Sequence, residues 1–94
     1  MELKTAFGLA LKQVRNRQQL TQEDFSESSS RTYISTLERG IKSPTLEKVE
    51  QLSKVLEVHP LTVMVMAYLY KENDQDLSSL LKSIENEVNA LQDR

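Results

Sequence analysis

Along this chain apolar residues recur at steps of three and four, segment after segment, while strict apolar–polar alternation is hard to find. That pattern builds a row of short helices and not a sheet. Leu3, Phe7, Ala10, Leu11 and Val14 predict a first helix over 3–17, ending around Asn16 to Gln19 without a glycine stop. Thr21 and Asp24 have the spacing of a capping pair, so a second, short helix opens at Gln22; Ser28, Ser29 and Ser30 then compete for backbone hydrogen bonds and end it. Ser30 reads as the N-cap of a third helix over 31–39, with Ile34 and Leu37 pointing inward and Gly40 just past its end. After the connector Ile41 to Pro44, Thr45 (or Ser43, with Pro44 in first helical position) caps a fourth helix along Leu46, Val49, Leu52, Val55 and Leu56. Pro60 starts a fifth, which is apolar nearly all round from Leu61 to Tyr70. A polar hinge, Lys71 to Asp76, leads to a sixth over about 76–92, where Leu77, Leu81, Ile84, Val88 and Leu91 form a heptad seam.

Ninety-four residues make one small domain with room for an appendage, because a single core typically takes on the order of 100 residues. The division expected is residues 1–70 as the domain and 71–94 as a C-terminal helical segment. With no Cys and a single His, thiol chemistry and a His-based metal cluster are excluded within one chain; no catalytic residue, metal ligand or cofactor is expected. The longest apolar stretch, Leu61 to Tyr70, is ten residues, half of the roughly 20 that a membrane span needs. The N-terminus lacks the long apolar region of an export signal, so the expectation is a cytoplasmic protein without a membrane partner. Net charge is −2, but residues 1–42 carry +2 and residues 43–94 carry −4. A polyanionic partner would therefore meet the N-terminal half.

With Ile34 and Leu37 buried, Arg31, Thr32, Ser35, Thr36 and Arg39 share the opposite side of the third helix. Such a strip suits the DNA major groove, where Arg can bond guanine O6 and N7 together and Thr offers both a hydroxyl and a methyl for thymine. Alone it is more often the pattern of a solvated face.

Four motifs in order add context: Leu20-Thr21-Gln22-Glu23, Ser30-Arg31-Thr32-Tyr33-Ile34-Ser35, Leu37-Glu38-Arg39-Gly40 and Ser43-Pro44-Thr45-Leu46. Over about residues 7–69 the chain resembles the phage-repressor-like (Xre/Cro-type) helix-turn-helix DNA-binding family. The resemblance implies an all-α, five-helix repressor-like domain, here with an additional C-terminal amphipathic helix. It implies a sequence-specific transcriptional regulator of repressor type, a homodimer on a twofold-related operator in double-stranded DNA, associated with a prokaryotic nucleoid. Base contacts would come from Arg31, Thr32, Ser35 and Thr36. Phosphates would be met by Gln22, Tyr33, Arg39, Lys42, Ser43, Arg17 and Thr45, which orient the protein without reading sequence. In the resembling family an Arg and a Glu at the positions of Arg15 and Glu38 form an ion pair beside the DNA backbone. The chain departs from the family between Phe25 and Ser30, where the turn is about two residues shorter and lacks the usual Gly and buried apolar residue, and at Gln19, where a Gly is usual.

The fifth helix has more apolar surface than four small neighbours can cover. Val63, Met66 and Tyr70, with Leu77, Leu81, Ile84, Val88 and Leu91, are the expected dimerisation residues; the alternative is a last helix folded back on its own chain. A rival function follows from the same surface: an antitoxin or adaptor whose C-terminal helices bind a partner protein.

Overall fold

A computed structural model describes residues 1–92 of the chain. The end of the expected 71–94 segment, Asp93 and Arg94, lies outside the described residues. The described residues form five α-helices: α1 (Leu3–Arg17), α2 (Arg31–Glu38), α3 (Leu46–Leu56), α4 (Pro60–Lys71) and α5 (Leu77–Leu91). A single 3-10 turn, Gln22–Phe25, stands where the second helix was expected. No strand occurs among the described residues, in keeping with the all-α expectation.

The ends of these elements are fixed by side chains that the sequence already offered. Ser30 accepts from the Tyr33 N–H at 3.0 Å, Thr45 from the Lys48 N–H at 3.1 Å, and Asp76 from the Ser79 N–H at 2.8 Å, each satisfying a donor that the first helical turn leaves orphaned. Of the two candidate caps for α3, Thr45 is the one used. The lone His59 caps α4, its Nδ1 accepting from the Leu61 N–H at 3.0 Å ahead of Pro60. At the 3-10 turn the expected capping pair forms: Asp24 accepts from the Thr21 N–H at 2.6 Å, and the Thr21 hydroxyl also donates to Asp24, at 3.1 Å.

At the C-terminal end of α2, Gly40 takes φ +72°, its N–H donating to Leu37 O and that of Ile41 to Thr36 O. This is the paired closure that a left-handed residue after a helix permits. The same closure ends α1 without a glycine, Gln19 itself adopting φ +59° while Leu20 N–H reaches Arg15 O at 2.9 Å.

One apolar core joins the first four helices and the turn. Ala6, Phe7, Ala10, Leu11 and Val14 of α1 meet Phe25, Ile34 and Leu37, then Val49, Leu52 and Leu56, then Val63 and Ala67. The most extensive packing is between α1 and α4, with α3 and α4 bent by 105° at their junction. Gly8 sets how α1 meets α2: a Cβ there would collide with Leu37 O and lie 2.7 Å from Glu38 O, so only a glycine lets the end of α2 rest on α1.

Outside this core stands α5, none of whose residues is buried. Leu77, Leu81, Ile84 and Val88 are each 40–49% exposed. Between α4 and α5 lies an open apolar groove of about 450 Å³, walled by Leu61, Val65 and Tyr68 on one side and Leu80 and Ile84 on the other. No single helix among the described residues is long and apolar enough to cross a membrane.

Candidate nucleic-acid interface

Helix α2 is eight residues long and presents two opposite sides, Ile34 and Leu37 fully buried on one, Arg31, Thr32, Ser35 and Thr36 on the other. Arg31 and Thr32 are exposed; Ser35 and Thr36 are half-buried. The Thr36 hydroxyl donates to Thr32 O at 2.8 Å, which fixes its rotamer and turns its remaining acceptor capacity outward. Arg39 is exposed just after the helix, its Nε on Ser35 O at 3.3 Å.

Arg31 does not stand alone. Its Nη1 donates to Glu23 Oε1 at 3.1 Å across a pair in which both side chains are mostly exposed. Such a pair is worth about 0–1 kcal/mol, so the guanidinium can be exchanged to a base or phosphate at little cost.

Beneath the exposed strip lies a polar network. Arg15 on α1 grips Glu38 on the last turn of α2 with two bonds, Nε to Oε2 at 2.6 Å and Nη2 to Oε1 at 3.0 Å. The same guanidinium donates to Leu20 O at 3.0 Å. Only 12% of the Arg15 side chain and 4% of the Glu38 side chain is exposed. Hydrogen bonding to Glu38, outweighing the opposing effect of burial, pushes the Arg15 pKa above its ordinary value. Gln22 joins the network, its Nε2 donating to Glu38 Oε1 at 3.1 Å. Gln22 is thus held against α2 through Glu38, and its amide N–H₂ is already part-engaged. With Glu38 neutralised by Arg15, the exposed cations on and just after α2 are Arg31, Arg39 and Lys42, while the exposed carboxylates Glu23, Asp24 and Glu27 stand on the segment before it.

Lys42 and Ser43 are exposed in the loop after Gly40, and Thr45 is exposed at the head of α3, with its hydroxyl engaged as the cap. Arg17 is exposed on the last turn of α1. Tyr33 is half-buried against the core, its ring 5.4 Å from the Lys48 ammonium. Among the described residues no cluster of His, Cys, Asp and Glu is placed to hold a metal ion.

A helix-turn-helix family profile matches residues 11–63, from the middle of α1 to the start of α4. The chain belongs to the helix-turn-helix family. It is also 36% identical over 61 residues to the control protein C.BamHI of Bacillus amyloliquefaciens, a match covering 62% of this chain and 75% of that one. Within the family the chain is of the phage-repressor-like kind, a DNA-binding transcription regulator. The family match takes in the Arg15–Glu38 pair, the 3-10 turn and all of α2, and it stops before α5.

One expected dimerisation residue needs correction. Val63 is 1% exposed, because with Ala67 it forms the side of α4 that faces α1, and no surface is left on it for a second chain. Met66 and Tyr70 are half-buried and pack against the same core. The apolar side chains that α4 does expose are Leu61 and Tyr68, which the sequence reading did not single out; a helix apolar all round conceals which side faces inward.

Lys48 and Glu23 were also missed. Each lies on a different element from the residue it touches, and neither carries a local signal beyond that of an ordinary surface charge.

Proposed function

We propose that the protein is a repressor-type regulator that binds a twofold-related operator as a homodimer, with α2 in the major groove. The observation that carries this reading is the strip on α2, opposite Ile34 and Leu37 and seated on an ion pair that fixes the helix against α1. Arg31, Thr32, Ser35 and Thr36 would read base edges; Arg39, Lys42, Ser43 and Arg17 would hold phosphates, with Gln22, Tyr33 and Thr45 beside them. The exposure of Arg31, Thr32, Arg39, Lys42, Ser43 and Arg17, and the positive charge that the Arg and Lys residues among them carry, support that division.

One such unit reads only a few base pairs, and two units on successive turns of DNA must sit about 34 Å apart. The apolar faces of α4 and α5 support pairing with a second copy. Of the large apolar side chains that the chain exposes, most are gathered on this side, Leu46, Leu61 and Tyr68 with Leu77, Leu81, Ile84, Val88 and Leu91. Covering them would bury on the order of 700–800 Å² per chain, the area of a standard stable interface. The antitoxin or adaptor reading draws on the same groove and differs in its occupant.

Selection of bound duplexes from a random pool, followed by a salt series on the winner and on random duplex, tests the function. A preferred site with twofold symmetry and a linear fall of log affinity with log salt is expected. Weak, sequence-indifferent binding would refute the regulator and favour the adaptor. Sedimentation of the chain truncated after Lys71 tests the dimer: loss of dimerisation with the first four helices still folded is expected, whereas an unchanged micromolar dimer would remove α5 from the interface.

A further inference from the structure

Helix α2 is held at its C-terminal end by the Arg15–Glu38 pair, and a different device holds its N-terminal end. Lys48 projects from the first turn of α3 into the segment that precedes α2. Its Nζ donates to Ser28 O at 2.8 Å and to Ser29 Oγ at 2.9 Å, and the ammonium stands over the Tyr33 ring. Two of its three donors are used inside the chain, and the face of an aromatic ring supplies further stabilisation for the charge.

The place of these contacts gives them their effect. Ser28 and Ser29 immediately precede Ser30, the cap of α2, and Tyr33 lies on the first turn of α2 beside Arg31 and Thr32. The segment from Ser26 to Ser30 otherwise folds on itself: the Ser28 and Ser29 N–H groups both bond Phe25 O, at 3.0 and 2.8 Å, as does the Ser28 hydroxyl at 3.3 Å. Ser29 is 9% exposed, and its hydroxyl is bonded by Lys48. Apolar packing has little to grip in a run of serines, so the path of the turn is left to a polar tie.

We propose that Lys48 is a positioning residue for DNA recognition: it ties the serine turn and the first turn of α2 to α3, and so sets the angle at which Arg31 and Thr32 meet the bases. It does not hold a phosphate. This inference rests on the DNA-binding reading above, and its test separates the two.

Lys48→Met keeps the length of the side chain and removes its charge and donors; Lys48→Arg keeps both. Affinity for the selected operator and for random duplex would be measured across a salt series for each variant and for the wild type, with circular dichroism and thermal melting alongside. The Met variant should lose about tenfold on the operator, the worth of one misaligned base contact. Its affinity for random duplex and its salt slope should stay at wild-type values, its base preference should relax, and the Arg variant should recover most of the loss. A uniform loss on both duplexes, with the slope falling by about one unit per half-site, would make Lys48 a phosphate contact and overturn the proposal. Unchanged operator preference in a folded Met variant would overturn it as well. Should that variant not fold, Ser29→Ala removes one of the two acceptors alone: a relaxed preference at unchanged slope supports the tie, an unchanged preference refutes it. A wild-type protein that binds no duplex would instead overturn the DNA reading on which the tie depends.

Discussion

Replacing Arg15 by Met and Glu38 by Gln, singly and together, tests the junction on which the recognition helix sits. Each single change leaves its partner without a counter-charge in a nearly closed site, since 12% of the Arg15 side chain and 4% of that of Glu38 meets solvent. Breaking a fully buried pair costs about 3–5 kcal/mol, mostly from the charge left behind. Here Arg15 keeps its bond to Leu20 O when Glu38 is replaced, and Glu38 keeps its bond from Gln22 when Arg15 is replaced, so each single variant is expected to lose about 2–4 kcal/mol. A domain of this size has on the order of 5–10 kcal/mol in all. The double variant leaves no unpaired charge and should lose clearly less than the two singles together. The resulting coupling should exceed about 1 kcal/mol, whereas the losses of residues that do not touch would simply add. Urea denaturation followed by circular dichroism gives all four stabilities from midpoints at a common slope. If the single losses add to within about 0.5 kcal/mol, the ion pair does not form and the seating of α2 on α1 falls with it.

Gly8→Ala should destabilise by about 1–3 kcal/mol in spite of alanine's better helix propensity, because the new methyl meets the Leu37 and Glu38 carbonyls; a melting temperature at or above that of the wild type would refute the close approach. Gln19→Gly should stabilise by about 0.5–1 kcal/mol, since glycine accepts φ +59° freely, and a loss of stability would show that Gln19 leaves that conformation. The Asp76 carboxyl is held below its ordinary pKa of 3.8 by hydrogen bonds from the Ser79 side chain and backbone N–H. A depressed carboxyl stabilises above its unfolded pKa and ceases to do so as pH falls through its folded one, so the start of α5 should fray only below about pH 3.8; an NMR titration midpoint at or above that value would refute the cap.

Much of this fold can be read from local pattern, and the parts that cannot share one physical cause. Ranges such as α1 at Leu3–Arg17 follow from apolar spacing, and the start and stop of α2 follow from Ser30 before it and Gly40 after it, because both signals act within one or two turns of the residue concerned. The second helix shrank to a 3-10 turn because its length depends on where Phe25 enters the core, and Phe25, fully buried, anchors it after four residues. The inward side of α4 was unreadable for a related reason: Val63 and Ala67 are chosen by α1 and not by any feature of their own helix. In the candidate site, the strip on α2 and the Arg15–Glu38 pair were reachable, one from spacing and one from resemblance. Lys48 was not, since the serines that it binds are 19 and 20 residues away in sequence.

These contacts divide the work between apolar and polar groups. Ile34 and Leu37 bury the helix, and burial is tolerant of a small rotation or slide because dispersion and apolar contact carry little direction. Arg15 on Glu38 and Lys48 on the serine turn are directional, and they act at the two ends of the same eight residues. Base readout depends on direction, since bidentate hydrogen bonding to a base edge fails with modest misalignment. Stability and specificity should therefore separate in the Arg15→Met, Glu38→Gln double variant: its folding free energy returns toward that of the wild type, while its ratio of operator to random-duplex affinity falls. A double variant that recovered both together would mean that the apolar core alone orients α2, and the polar ties at its ends would be left without a role in recognition.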